Sequence, residues 1–117
     1  MRIERELMRG AGPVAVLKLL SSGERYGYEL VEALDQQTEG VLAMGQSTLY
    51  PLLYNLEAKG LVKAVWRTSE SGRDRKYYAL TGKGKKKLSA DTKQWRALAD
   101  AMRSLEILAP AQRGALA

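Results

Sequence analysis

A chain of 117 residues with 45% apolar content is sized for one domain with a modest core. It contains neither cysteine nor histidine, which excludes disulfides, thiolate metal sites and cysteine nucleophiles and removes the usual general base and the commonest metal ligand. The formal net charge is +6 and unevenly placed: Lys59 to Arg96 holds twelve basic and three acidic residues, net +9, against −3 for residues 1–58 and zero for residues 97–117.

In chain order, Gly12–Pro13 opens the first clear helix, because proline is at home in a first helical turn. "PVAVLKLLSSG" then runs to a Ser-Ser-Gly stop, with Val14, Val16, Leu17, Leu19 and Leu20 making it mostly buried. Residues 3–9 read either as another short helix or as a mobile arm. "YGYELVEALDQQT" follows as a second helix, with Leu30, Val31 and Leu34 on one side and Glu29, Glu32 and Asp35 on the other. "EGVLAMG" is a connector. "GQSTLYPLLYNLEAKG" is the third helix, closed by Gly60. Beyond it the period falls to two: "LVKAVWRT" sets Val62, Ala64 and Trp66 against Lys63, Val65 and Arg67, a half-buried strand. "SESGRD" is a turn and "RKYYALT" a second strand, so the pair forms a β-hairpin. A long helix from about Gly82 to Leu108, stopped by Pro110, ends the pattern.

The third helix has two faces. At 100° per residue, Leu52, Leu53 and Leu56 fall within about 60° of Leu49 and form the core-facing stripe. Ser47, Pro51, Tyr54 and Ala58 lie opposite, flanked by Tyr50 and Asn55, and this outward face is almost free of charge. Ser47 reads as the N-cap, which makes Pro51 the first residue whose N–H would have bonded within the helix. Such a face suits a DNA major groove: Gln46, Ser47, Thr48 and Asn55 are short polar groups for base edges and phosphates, and Tyr50 and Tyr54 can stack on sugars or donate to phosphate. The plainer alternative packs both tyrosines on the hairpin or on a partner. Two helices, the second presented after a Gly-containing connector and followed by a hairpin, form a winged helix-turn-helix. The hairpin tip carries Arg73, Arg75 and Lys76, where phosphates or the minor groove would lie. The charge bias agrees with a surface facing a polyanion, its bland counterpart being a solvated lysine-rich face.

With these residues in place, "LKLLSSGERYGYELVEAL", "STLYPLLYNLEAKGLVKAVW" and "GRDRKYYALTGKGKKKL" resemble the PadR family of transcriptional regulators, in its order and spacing over residues 17–88. The resemblance implies a dimeric winged-helix repressor whose C-terminal helix forms the dimer interface, in the shorter subfamily with one such helix. It departs from the family's pattern at Gly12–Pro13, which interrupts a segment that often runs on.

The last helix points to dimerisation independently, since Leu88, Trp95, Leu98, Met102 and Leu105 make a heptad seam. Asp91 occupies the position where that seam lacks an apolar residue. Either Asp91 and Trp95 border a partly open cavity between subunits in which a planar aromatic effector stacks on Trp95, as the resemblance also implies, or Trp95 is interface core and Asp91 pairs with Lys87, Lys93 or a partner residue.

The expected architecture is mainly α with a small β-hairpin: a winged helix-turn-helix over residues 1–81, then a dimerisation helix and tail over 82–117. The expected function is that of a homodimeric repressor on double-stranded DNA with an inverted-repeat operator, with a small aromatic effector as a candidate ligand. No cofactor or metal is expected, nor a membrane partner, and the expected location is the cytoplasm. The alternative is a winged helix used for protein contacts or nonspecific nucleic-acid binding. Without His, Cys, a phosphate-loop motif or paired carboxylates, an enzyme is not expected.

Overall fold

The computed structural model describes residues 1–110 and contains seven elements: α1 (Arg5–Leu20), β1 (Arg25–Tyr26), α2 (Gly27–Gln37), α3 (Gln46–Ala58), β2 (Val62–Thr68), β3 (Asp74–Leu80) and α4 (Gly82–Ser104). Leucines fill the core, as the absence of phenylalanine demands. Val16, Leu17 and Leu20 of α1 meet Leu30 and Leu34 of α2, Leu49, Leu53 and Leu56 of α3, and Leu61, Val62 and Tyr78 of the sheet.

The first helix differs from the expectation. It neither begins at Pro13 nor leaves a separate arm; it is one helix of 16 residues with Pro13 inside. Packing explains this. A Cβ on the buried Gly12 would stand 3.2 Å from Leu52 Cδ1 and 3.5 Å from Met44 Cε, and Met8, one turn earlier, lies against the core. Those contacts hold the N-terminal half of α1 beside α3 and outweigh the one hydrogen bond that Pro13 removes. The Ile3 N–H also bonds the Val41 carbonyl at 3.4 Å, tying the start of the chain to the connector.

The sheet has the order β1-β3-β2, antiparallel throughout. Strand β1 was not foreseen; two residues are too few to show a period. Arg25 and Tyr26 pair with Tyr78 and Tyr77, and this short edge fixes the start of α2 against the wing. The Glu29 carboxylate accepts from the Tyr26 N–H at 3.1 Å and so caps α2, a task its place on a solvent-facing helix side did not suggest. Strands β2 and β3 run in register from Val62↔Leu80 to Thr68↔Asp74. Gly60 (φ +74°) ends α3, with the Leu61 N–H bonded to the Leu56 carbonyl at 2.9 Å, as its glycine promised.

Thr81 caps α4 by accepting from the Gly84 N–H at 2.9 Å, and its own hydroxyl donates to the Gly60 carbonyl at 2.7 Å. Gly84 is the one buried residue of this helix. From there α4 runs beside α1, with Leu88 packed on the core, and its far end extends from the body. The radius of gyration of 16.1 Å exceeds the roughly 13 Å expected of a compact chain this long, and the longest dimension is 52 Å. The helix stops at Ser104, short of the expected Leu108. Glu106 adopts φ +62° and the Ile107 N–H turns back to the Met102 carbonyl at 2.9 Å, so the chain closes the helix before Pro110 is reached.

Candidate nucleic-acid interface

Helix α3 begins one turn-fraction earlier than its sequence suggested. Gly45, not Ser47, is the N-cap, and its carbonyl accepts the N–H groups of Thr48 and Leu49 at 3.1 and 3.0 Å. Pro51 therefore sits in the second turn and costs a bond to the Ser47 carbonyl, on a side open to water. Leu49, Leu53 and Leu56 are buried, Leu52 partly so. The opposite face is exposed through Gln46, Ser47, Pro51 and Ala58. Its two margins point to different neighbours: Thr48 and Asn55 border a groove shared with α1, while Tyr50 and Tyr54 turn toward the wing.

The two tyrosines are not equivalent. Tyr50 is half-buried, and its hydroxyl lies 2.5 Å from where a Cβ on Gly27 would be, so the ring rests on the first residue of α2. Tyr54 remains 53% exposed, with its ring 6.3 Å from that of Tyr50.

Nor are the three wing cations equivalent. Arg73 is exposed beside the turn, which Gly72 makes possible with φ +80° and which the Ser69 N–H closes onto the Arg73 carbonyl at 2.8 Å. Arg75 lies over the Tyr26 ring at 4.6 Å, and Tyr26 meets Tyr77 edge-on at 5.4 Å. Lys76 points inward between Tyr54 and Tyr78, 5.2 Å from each ring, and reaches Glu57 at 3.9 Å. Burial opposes its charge, but the Tyr78 oxygen, Glu57 and Tyr54 outweigh it and hold its pKa above the ordinary lysine value. The Tyr78 hydroxyl itself is buried and makes no hydrogen bond of good geometry; burial pushes this phenol up, against the opposing pull of the Lys76 ammonium beside it. Lys76 thus joins the wing to α3, a place its sequence position among wing-tip cations did not reveal.

Between these elements lies an open cleft of about 510 Å³ lined by Tyr26, Tyr28, Tyr50, Arg73, Arg75 and Lys76. Tyr26 and Tyr28 were not among the residues singled out from sequence. The signal available was "RYGY", two tyrosines around a glycine. Trp66, on the strand face that carries Val62 and Ala64, runs past the end of the core and is 67% exposed.

On the other side of the molecule, Leu88 is half-buried against the core, whereas Trp95, Leu98 and Leu105 are 39%, 45% and 69% exposed; Met102 is partly buried, and Leu105 is the C-cap rather than a helical residue. Asp91 pairs with Lys87 at 2.8 Å, the plainer of its two expected arrangements. The cavity expected at Asp91 and Trp95 was one between subunits; within the single chain the two residues border a different one, of about 350 Å³, formed by α1, α3 and α4 with Gly10, Pro13, Asn55 and Lys59 in its wall.

Three helices, a β-wing and an exposed third helix beside it define a winged helix-turn-helix protein, with the expected mainly α architecture. The chain belongs to the PadR-like family of transcriptional regulators: residues 16–90 match the model of the "Transcriptional regulator PadR-like family". Its fold is similar to that of a Streptococcus transcriptional regulator, with 34% identity over 88% of this chain and 99% of that one at a TM-score of 0.77. It is similar too to a PadR family transcriptional regulator of Eggerthella lenta, with 36% identity over 86% and 85% of the two chains and a TM-score of 0.74. By sequence it is 31% identical to uncharacterized protein X of Lysinibacillus sphaericus over 80% of this chain and 85% of that protein. It is 30% identical to transcriptional regulator YqjI of Escherichia coli over 80% of this chain, which spans 43% of YqjI. The family consists of transcriptional regulators, not enzymes. Among the described residues no helix is long and apolar enough to cross a membrane.

Proposed function

We propose that the protein is a sequence-specific DNA-binding repressor that works as a homodimer on an inverted repeat. The observation that carries this reading is α3: an exposed, charge-poor face of short polar groups, bordered by Tyr54 and by the cationic wing. Charged side chains are what a helix presents to water. Their absence here, beside the exposed Arg73, fits a surface that exchanges water for base edges while the wing meets phosphates. In this reading Gln46, Ser47, Thr48 and Asn55 choose the sequence, Tyr50 and Tyr54 position α3, and Arg73 grips the backbone. Arg75 and Lys76, held on Tyr26 and Glu57, mainly shape the wing.

Residues 1–81 form the DNA-binding unit and α4 the dimerisation element. The open apolar surface of Trp95 and Leu98 on α4, continued by Leu105 at its C-cap, supports this division, because such surface is normally covered. A dimer would set its two α3 helices in successive major grooves about 34 Å apart. A small aromatic effector would enter the cavity beside Asp91 and Trp95; Trp95→Phe should abolish fluorescence quenching by such a compound, and quenching that survives would move the site toward Trp66.

Enrichment of operator duplexes from a random pool tests the central reading. The wild-type protein should favour the enriched duplex by roughly 10³-fold or more over a scrambled one of equal length. Equal affinity for the two would refute it and leave a nonspecific nucleic-acid module.

A further inference from the structure

A helix lying in the major groove has a phosphate strand along each of its sides, because the groove is about 12 Å wide and little wider than the helix itself. The wing can serve only the side of α3 that carries Tyr50 and Tyr54. The other side, carrying Thr48, Asn55 and Lys59, borders an open groove of about 400 Å³ whose opposite wall is α1, through Arg5, Met8, Arg9 and Pro13. Arg5 and Arg9 stand one helical turn apart, so they project from the same strip of α1. Both are exposed, as is Lys59, and among the described residues none of the three makes an ion pair. No acidic residue lines the groove. Its floor is apolar, through Met8, Met44 and Leu52, so the cations stand at its rim with their charge unspent.

The sequence left this arrangement open, because it began the first clear helix at Gly12–Pro13 and read residues 3–9 as either a short helix or a mobile arm. Continuity of α1 through Pro13, enforced by Gly12 against Leu52 and Met44, carries Arg5 and Arg9 alongside the recognition helix. Arg5 also stands in the first turn of α1, where the helix dipole disfavours a cation, so it gains nothing locally from its position.

We propose that Arg5, Arg9 and Lys59 form a second phosphate-binding edge, gripping the DNA strand on the side of α3 opposite the wing. This rests on the DNA-binding reading above. Phosphate neutralisation is indifferent to sequence, so this edge sets affinity and registers α3 in the groove without choosing bases.

The test uses the full chain, an operator duplex enriched by the wild-type protein and a scrambled duplex of the same length, with affinities measured by fluorescence anisotropy between 50 and 300 mM KCl. Arg5→Gln/Arg9→Gln keeps good helix formers in α1. It should weaken binding to both duplexes by the same factor, about 10³-fold near 0.15 M salt if four phosphate contacts, two from each protomer, are lost, and lower the salt slope by about 3.6. Arg73→Gln serves as the wing control. Wild-type affinity and slope in the double variant, with a loss in Arg73→Gln, would overturn the second edge while leaving the DNA-binding reading intact. A loss confined to the enriched duplex would mean that the arginines read bases. A loss accompanied by a change in sedimentation or in melting temperature would assign them to subunit contact or folding. Failure of the wild-type protein to bind any duplex would remove the DNA-binding reading, and this proposal with it.

Discussion

Gly84 gives the sharpest test of how α4 is mounted. It lies in the first turn of that helix and is buried where the helix crosses the chain leaving α3. A Cβ built there overlaps the Leu61 carbonyl oxygen, and stands 3.0 Å from the Leu61 carbonyl carbon and 2.7 Å from Leu80 Cδ1. The Leu80 methyl can rotate, but the Leu61 carbonyl cannot yield without cost, since it accepts the Thr81 N–H at 3.1 Å. Gly84→Ala must therefore lift the whole first turn. Overpacking of this kind costs about 1–3 kcal/mol, partly offset by up to about 1 kcal/mol from the better helix propensity of alanine. A net loss of about 1–2 kcal/mol lowers the melting temperature by roughly 4–8 °C in a domain of this size. Gly82→Ala, two residues away, has nothing within 4 Å of its new Cβ and should leave the melting temperature unchanged or raise it by a few degrees. Thermal and urea denaturation followed by far-UV circular dichroism compares the two. A Gly84→Ala protein as stable as wild type would mean that α4 does not rest on Leu61 as described.

Gly27→Ala forces the Tyr50 hydroxyl and ring to move, since they lie 2.5–3.0 Å from the new Cβ, but the obstacle is a side-chain end rather than backbone. Stability should stay within about 1 kcal/mol of wild type while operator affinity falls; unchanged affinity would detach Tyr50 from the DNA surface. Tyr78→Phe removes a buried hydroxyl that has no partner, so stability should be unchanged or rise by up to about 1 kcal/mol, and a clear loss in urea unfolding would reveal a hydrogen bond at that oxygen. The Arg67 guanidinium, hydrogen-bonded to Glu24, holds that carboxyl below its usual value of 4.5. A depressed folded-state value means that the pair's contribution is present above about pH 4.5 and fades as the pH falls through the folded value. Glu24→Gln should flatten that part of the stability profile and leave neutral pH nearly unaffected, as exposed pairs contribute little.

Much of the fold was legible because its signals were local. Leucines at helical spacing placed α3, alternation placed β2, and glycines in left-handed or crowded positions marked the ends of elements. What stayed hidden depended on contacts distant in sequence. The N-terminal half of α1 is helical because Leu52 and Met44 meet Gly12, which no window around Pro13 could report. β1 exists only because β3 is there to pair with it. The α3 surface was readable as a charge-poor face, yet the wing cations looked alike in a row. Only the placement of Glu57, Tyr54 and Tyr26 separates an inward Lys76 and a stacked Arg75 from an outward Arg73.

The mounting of α4 has a mechanical meaning. Its root is joined to the end of α3 by three bonds spanning the sheet: Thr81 Oγ1 to the Gly60 carbonyl at 2.7 Å, the Thr81 N–H to Leu61 at 3.1 Å, and Lys83 Nζ to the Lys59 carbonyl at 2.8 Å. These bonds fix the start of α4 to the end of α3, so the direction in which α4 leaves the sheet is set at Gly60–Gly84. With 23 residues α4 measures about 34 Å, so a difference of about 10° in direction at its root displaces its far end by some 6 Å. Whatever is held at that end is therefore positioned by the few residues that close α3.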